Sequence, residues 1–198
     1  MHLLPILPKK YIIKFIRANL SAKYINEEFK IPVIHLIRNP FNVIQSQLKV
    51  NFPWLKNLDS FVAQADLVSL IQNEFGFDIT NYKSLSTYEI FALRWCIENV
   101  IPLEVLEPYG YKSLVVKYES LINDMEVFYN ICSEFNIDYL KSIQEIYNRP
   151  SSKTHPNNTL KLSKKSSDEF SPKQYDGILK ILDVFNTKLY SEIDNITF

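Results

Sequence analysis

The chain has 198 residues, of which 46% are hydrophobic and 14% aromatic, and its 22 Lys+Arg balance 22 Asp+Glu. Such a chain fits one domain, 1–198, with a sizeable core. Its zero net charge argues against a general nucleic-acid binder, which needs a basic excess to neutralise phosphates, and leaves room for a local basic site for one small anion. Cys96 and Cys132 form no disulfide framework, and His2, His35 and His155 have no zinc-ligand spacing, so the expected setting is reducing and cytoplasmic, with no metal.

The first residues, through Pro5 and Pro8, are briefly apolar but have no basic segment ahead of them and no cleavage signature. Neither a signal peptide nor a membrane anchor is expected, and no uncharged apolar run reaches membrane-spanning length. Lys10 to Ile16 is β-branched and aromatic and predicts a strand. Arg17 to Phe29 predicts a helix with Leu20, Tyr24, Ile25 and Phe29 on one side. Ile31 to Ile37 is almost wholly apolar, which predicts a strand buried on both faces of a parallel sheet.

Asn39 and Pro40 supply a helix N-cap and first helical residue, and that helix should run to about Val50. After a loop, Leu58 to Phe75 predicts a helix with Phe61, Val62, Ala65, Val68 and Ile71 inward, followed by a polar loop through Ser84. Ser86 and Glu89 form a capping-box pattern that opens a long helix, which Pro102 should kink or divide and Gly110 end. Lys112 to Lys117 predicts another buried strand, with short helices near 125–135 and 139–148. Residues 149–169 read as a polar loop, and Ser171-Pro172 starts the last helix, carrying Ile178, Ile181, Leu182, Phe185 and Leu189. Strands separated by helices predict an α/β fold, a parallel β-sheet flanked by helices.

Only three glycines are present, Gly76, Gly110 and Gly177, and they lie far apart. Phosphate-cradling loops need clustered glycines so that backbone N–H groups can converge on the anion. The 198 residues therefore contain no P-loop and no dinucleotide fingerprint.

Chemistry concentrates between Ile37 and Ser46. A buried strand ends at Arg38 and a helix starts one residue later, and ligands of open α/β sheets bind outside the carboxyl ends of strands. Ser46 lies four residues after Asn42, on the same helical face, so Arg38 and Ser46 can converge on one anion. A guanidinium offers a planar fork to phosphate oxygens, and the hydroxyl adds a donor. The plainer alternative pairs Arg38 with a carboxylate and leaves Ser46 on the surface.

Arg38 with Ser46, through Asn39-Pro40 and Val43, resembles the 3′-phosphate-binding segment of sulfotransferases that use 3′-phosphoadenosine-5′-phosphosulfate. Lys14 to Leu20 resembles the strand and helix that precede this segment in bacterial members. Arg94-Trp95-Cys96 with Pro102 resembles their central helix, and Val115 to Leu121 resembles their strand followed by Tyr-Glu-x-Leu. Arg149 to Thr154 resembles their nucleotide-contacting loop, and Ser171 to Tyr190 their closing helix. The resemblance covers nearly the whole chain in order. It implies a three-layer architecture of the P-loop-transferase type.

The resemblance implies that Arg38 and Ser46 hold the donor's 3′-phosphate, and that Ser152, Lys153 and Thr154 close over the nucleotide or else form a solvated connection. It implies that Lys14 stabilises charge near the transferred group, the alternative being a strand-end lysine in solvent. Tyr118 and Glu119 are implied to be structural, and Trp95, Cys96 and Cys132 read as core. The acceptor would carry a hydroxyl or amine, on a saccharide, a lipid or a small phenol.

Two family features have no counterpart. The glycine-containing loop that cradles the 5′-phosphosulfate would precede Met1, so truncation is expected, the alternatives being loss of the loop or its supply by another chain. The family's histidine base is Ile16 here. Two other functions compete: a non-catalytic module that binds a nucleotide or a partner, and, less well supported, a glycosyltransferase, for which Asp124-Met125-Glu126 is the nearest approach to a metal motif.

Overall fold

The computed structural model describes residues 10–147 and 169–190. Helix α1 (Ala22–Phe29) leads into strand β1 (Val33–Ile37), and α2 (Pro40–Val50), α3 (Asp59–Val62), α4 (Ala65–Phe75) and α5 (Thr87–Val100) follow. Strand β2 (Ser113–Lys117) then precedes α6 (Tyr118–Asn123), α7 (Met125–Glu134), α8 (Ile143–Tyr147) and α9 (Pro172–Val184). The strands pair in parallel, from Val33 against Ser113 to Ile37 against Lys117. The expected α/β character is present in this coarse form: a mostly helical protein with a small parallel sheet among the described residues.

The strands are not buried on both faces. His35, Ile37 and Val116 are buried, while Ile34 (39% exposed), Leu36 (49%) and Val115 (47%) face outward. Because side chains alternate along a strand, an apolar run fills both faces, and only one face is covered here. The strand expected over Lys10 to Ile16 is also absent. Residues 10–15 have no regular structure, and Ile12 (78% exposed) and Ile16 (76%) lie in the open. β-branched residues favour a pleated, half-buried surface, and without a ladder partner that preference does not make a strand.

Helix α5 organises the interior. Ser86 accepts from the Glu89 N–H, and the Glu89 carboxylate accepts from the Ser86 N–H at 2.8 Å, the expected capping box. The helix is buried nearly all round, from Ile90 to Ile97 and again at Asn99 and Val100, so it shows no strong apolar stripe. Helix α2 packs on it through Phe41 and Ile44, and α9 through Ile178, Ile181, Leu182 and Phe185. Burying each such side chain contributes about 1.5–3 kcal/mol. Pro102 divides the helix as expected: Ile101–Val105 forms a π turn closed by the Leu106 N–H on the Ile101 carbonyl at 3.0 Å. Gly110 lies well beyond that end.

Several boundaries differ from expectation. Helix α1 starts at Ala22 after a 3-10 turn, and Tyr24 and Phe29 are exposed, stacked edge to face on each other. Its inward residue is Asn26, fully buried, which donates to the carbonyls of Ile31 (2.9 Å) and Lys112 (3.0 Å) and accepts from the Tyr111 N–H (3.0 Å). An amide that satisfies three backbone groups fixes α1 against the starts of both strands, a role no hydrophobic period reveals. The 58–75 helix breaks into α3 and α4 at Ala63 and Gln64, and Ala65 is exposed. Helix α6 was not expected, and α8 is shorter than expected.

His35 is buried, with Nδ1 3.3 Å from the Tyr109 hydroxyl and Nε2 without a partner among the described residues. Burial lowers its pKa. The unfolded chain therefore takes up the proton first as pH falls, and the stability held by neutral His35 is present above about pH 6.5 and lost below it. The stability advantage of the native protein over His35→Gln should shrink between pH 7 and pH 5 in urea titrations. A difference that stays constant with pH would contradict this.

Candidate anion site at the end of the first strand

Three short links build the site. Strand β1 ends at Ile37, Arg38 follows, and Asn39 caps α2 with its side-chain oxygen accepting from the N–H groups of Phe41 (3.0 Å) and Asn42 (3.4 Å). Pro40 at the first helical position has no N–H to leave unsatisfied. The Trp95 indole donates to the Arg38 carbonyl at 2.9 Å and fixes the backbone at this junction. Parallel register sets Lys117 beside Ile37, so β2 delivers Lys117, Tyr118 and Glu119 to the same edge of the sheet.

Glu119 is the hub. It is buried (7% exposed) and accepts from the Asn39 N–H at 2.9 Å, from the Asn42 amide at 3.3 Å and from the Tyr190 hydroxyl at 2.6 Å. A carboxylate at a helix N-terminus is favoured by the helix dipole. The N-terminal amides of α2 are thus already engaged by Glu119 and Asn39, so an external anion at this place would be held by side chains. The structural role implied for Glu119 agrees with this geometry.

Arg38 is half-buried, with its guanidinium carbon 5.0 Å from the centre of the Tyr118 ring. Its Nε–H is buried and has no hydrogen-bond partner among the described residues. A buried donor left unmet costs about 1–3 kcal/mol, and native proteins rarely tolerate one without a ligand, water or ion. The expected alternative, in which a carboxylate pairs with Arg38, is not found within salt-bridge distance among the described residues. Ser46 is half-buried, one turn along α2 from Asn42 and on the same face, which Asn42 turns toward Glu119.

Lys117 adds a second cation, with Nζ 4.9 Å from the centre of the Tyr190 ring. Lys117 carries no local sequence signal of a site, and the strand register that pairs it with Ile37 is what places it there. Lys14 is exposed on the irregular segment before Arg17. Ser152, Lys153 and Thr154 lie outside the described residues.

Trp95 sits in the core at 2% exposure, and Cys96 and Cys132 are buried with thiols that burial raises in pKa, which suits packing and not nucleophilic chemistry. Among the described residues, no group of three or more His, Cys, Asp or Glu could hold a metal ion. Among them, no helix is long and apolar enough to cross a membrane. Comparison with protein-family models, with curated proteins and with solved structures finds no match.

Proposed function

We propose that the chain binds a nucleotide 3′-phosphate at Arg38 and Ser46 and is a sulfotransferase polypeptide that uses 3′-phosphoadenosine-5′-phosphosulfate as donor. The observation that carries the reading is the buried Arg38 Nε–H without a partner, at the carboxyl end of a strand. That is where open α/β sheets take ligands, and a guanidinium fork fits phosphate oxygens. The donor, when bound, supplies the activated sulfuryl group for a hydroxyl or amine acceptor. This chain's residues would hold it: Arg38 by charge-assisted hydrogen bonds, Ser46 by its hydroxyl, and Glu119 by fixing the start of α2 beneath both. Lys14 would place a cation beside the transferring group, and Ser152, Lys153 and Thr154 would cover the nucleotide.

One observation favours a second reading for these 198 residues on their own, binding without turnover: their three glycines are too scattered to cradle a 5′-phosphosulfate. Both readings share the 3′-phosphate site. In a calorimetric titration, adenosine 3′,5′-bisphosphate should bind at least tenfold more tightly than 5′-AMP. Equal affinity for the two, or no binding of either, would contradict the site. Sulfation of an acceptor panel, measured with labelled donor, separates the two readings.

A further inference from the structure

A concavity opens beside α5, where Arg94 and Glu98 line it. A cavity of about 530 Å³ lies between the segment after α2 and the residues before α1, lined in part by Arg17, Asn19, Trp54, Asn57, Ser60 and Glu98. Its volume falls in the range of small-molecule sites. The charges in its wall are not equivalent. Arg94 is buried and bound to the carbonyls of Leu55 (2.9 Å), Asn57 (2.7 Å) and Trp54 (3.4 Å) and to the Glu98 carboxylate (3.0 Å), so it supports the wall and neutralises Glu98.

Arg17 is different. It is exposed, sits over Trp54 with its guanidinium carbon 3.4 Å from the ring centre, and among the described residues pairs with no carboxylate within salt-bridge distance. Phe52 stacks on Trp54 as well, at 5.4 Å between ring centres, so the indole that carries the guanidinium is itself packed against a second ring. Two guanidiniums, Arg17 and Arg94, face the single carboxylate of Glu98 in this wall, which leaves one net positive charge. The amides of Asn19 and Asn57 and the Ser60 hydroxyl provide neutral polar groups around it. Asn19 spends only one amide N–H, on the Glu98 carbonyl at 2.9 Å, while Asn57 is tied to Asp59, its side-chain oxygen accepting from the backbone N–H at 2.7 Å and its amide donating to the carboxylate. The oxygen of Asn19 and the second N–H of the Asn57 amide are left.

We infer that this cavity is a binding site for a small hydroxylated carboxylate, of the size of a sugar acid, whose carboxylate docks on the Arg17 fork and whose hydroxyls meet Asn19, Asn57 and Ser60. A planar guanidinium takes a carboxylate in two parallel hydrogen bonds. Hydroxyls, which both donate and accept, suit the mixed amide and hydroxyl lining. The inference does not rest on the Arg38 site.

The test uses the full chain labelled with 5-fluorotryptophan, which carries two tryptophans, Trp54 and Trp95. Trp54→Phe assigns the fluorine signals. Glucuronate should shift the Trp54 signal in a saturable way and leave the buried Trp95 signal in place. Glucose, which lacks the charge, and benzoate, which lacks the hydroxyls, should each bind at least tenfold more weakly. Arg17→Gln should weaken glucuronate binding by tenfold or more, with the Trp95 signal reporting an intact fold, and Arg17→Lys should restore only part of it. No response to glucuronate, an equal response to glucose or benzoate, or unchanged affinity in Arg17→Gln would overturn the assignment.

Discussion

Replacing Glu119 with alanine is expected to cost about 3–5 kcal/mol of stability, a large share of what a domain of this size has. The carboxylate accepts from the Asn39 N–H, the Asn42 amide and the Tyr190 hydroxyl, and it sits at 7% exposure. Each donor deprived of its acceptor in a buried place costs about 1–3 kcal/mol, and the start of α2 also loses a favourable charge. The melting temperature should fall by roughly 10 °C. Glu119→Gln keeps one carbonyl oxygen of the same shape, so it should recover about half of the loss. Urea and thermal unfolding of both variants check this. A loss below about 1 kcal/mol for the alanine variant would show that water replaces the carboxylate and that the hub is not structural.

Arg38→Ala carries the second large effect. Charge-assisted hydrogen bonds to an oxyanion contribute about 1.5–3 kcal/mol, so affinity for adenosine 3′,5′-bisphosphate should drop about 10- to 100-fold. Affinity for 5′-AMP should stay within about twofold, because Arg38 has nothing to meet on that ligand. Stability should change little, by about 1 kcal/mol or less, since Arg38 is half-buried and its one described contact is the Tyr118 ring. This separates Arg38 from Glu119, whose loss damages fold and site together. Equal losses for both nucleotides would remove the 3′-phosphate from the account.

Where local chemistry decided the structure, the sequence was readable. Asn39-Pro40, Ser86 with Glu89 and Ser171-Pro172 each start a helix where expected, because a cap satisfies backbone N–H groups within a few residues of itself. Pro102 breaks α5 for an equally local reason. Strand pairing is not local. Val33–Ile37 and Ser113–Lys117 have each other, whereas the equally β-branched Lys10 to Ile16 has no ladder, and composition does not distinguish the cases. Burial of both sheet faces failed for the same reason, as Ile34, Leu36 and Val115 need a covering layer that their own sequence does not specify. At the site, Arg38 was legible from the strand-to-helix junction. Lys117 and the Glu119 hub were less so, because register and three contacts distant in sequence create them.

The central claim is that the Arg38 Nε–H meets a nucleotide 3′-phosphate, and nitrogen-15 NMR of arginine side chains observes that group directly. The signal assigned to Arg38 through Arg38→Lys should move on titration with adenosine 3′,5′-bisphosphate, saturate with the calorimetric affinity, and stay in place with 5′-AMP. An Arg38 signal that stays fixed while the bisphosphate binds would place the nucleotide elsewhere and contradict the proposed function.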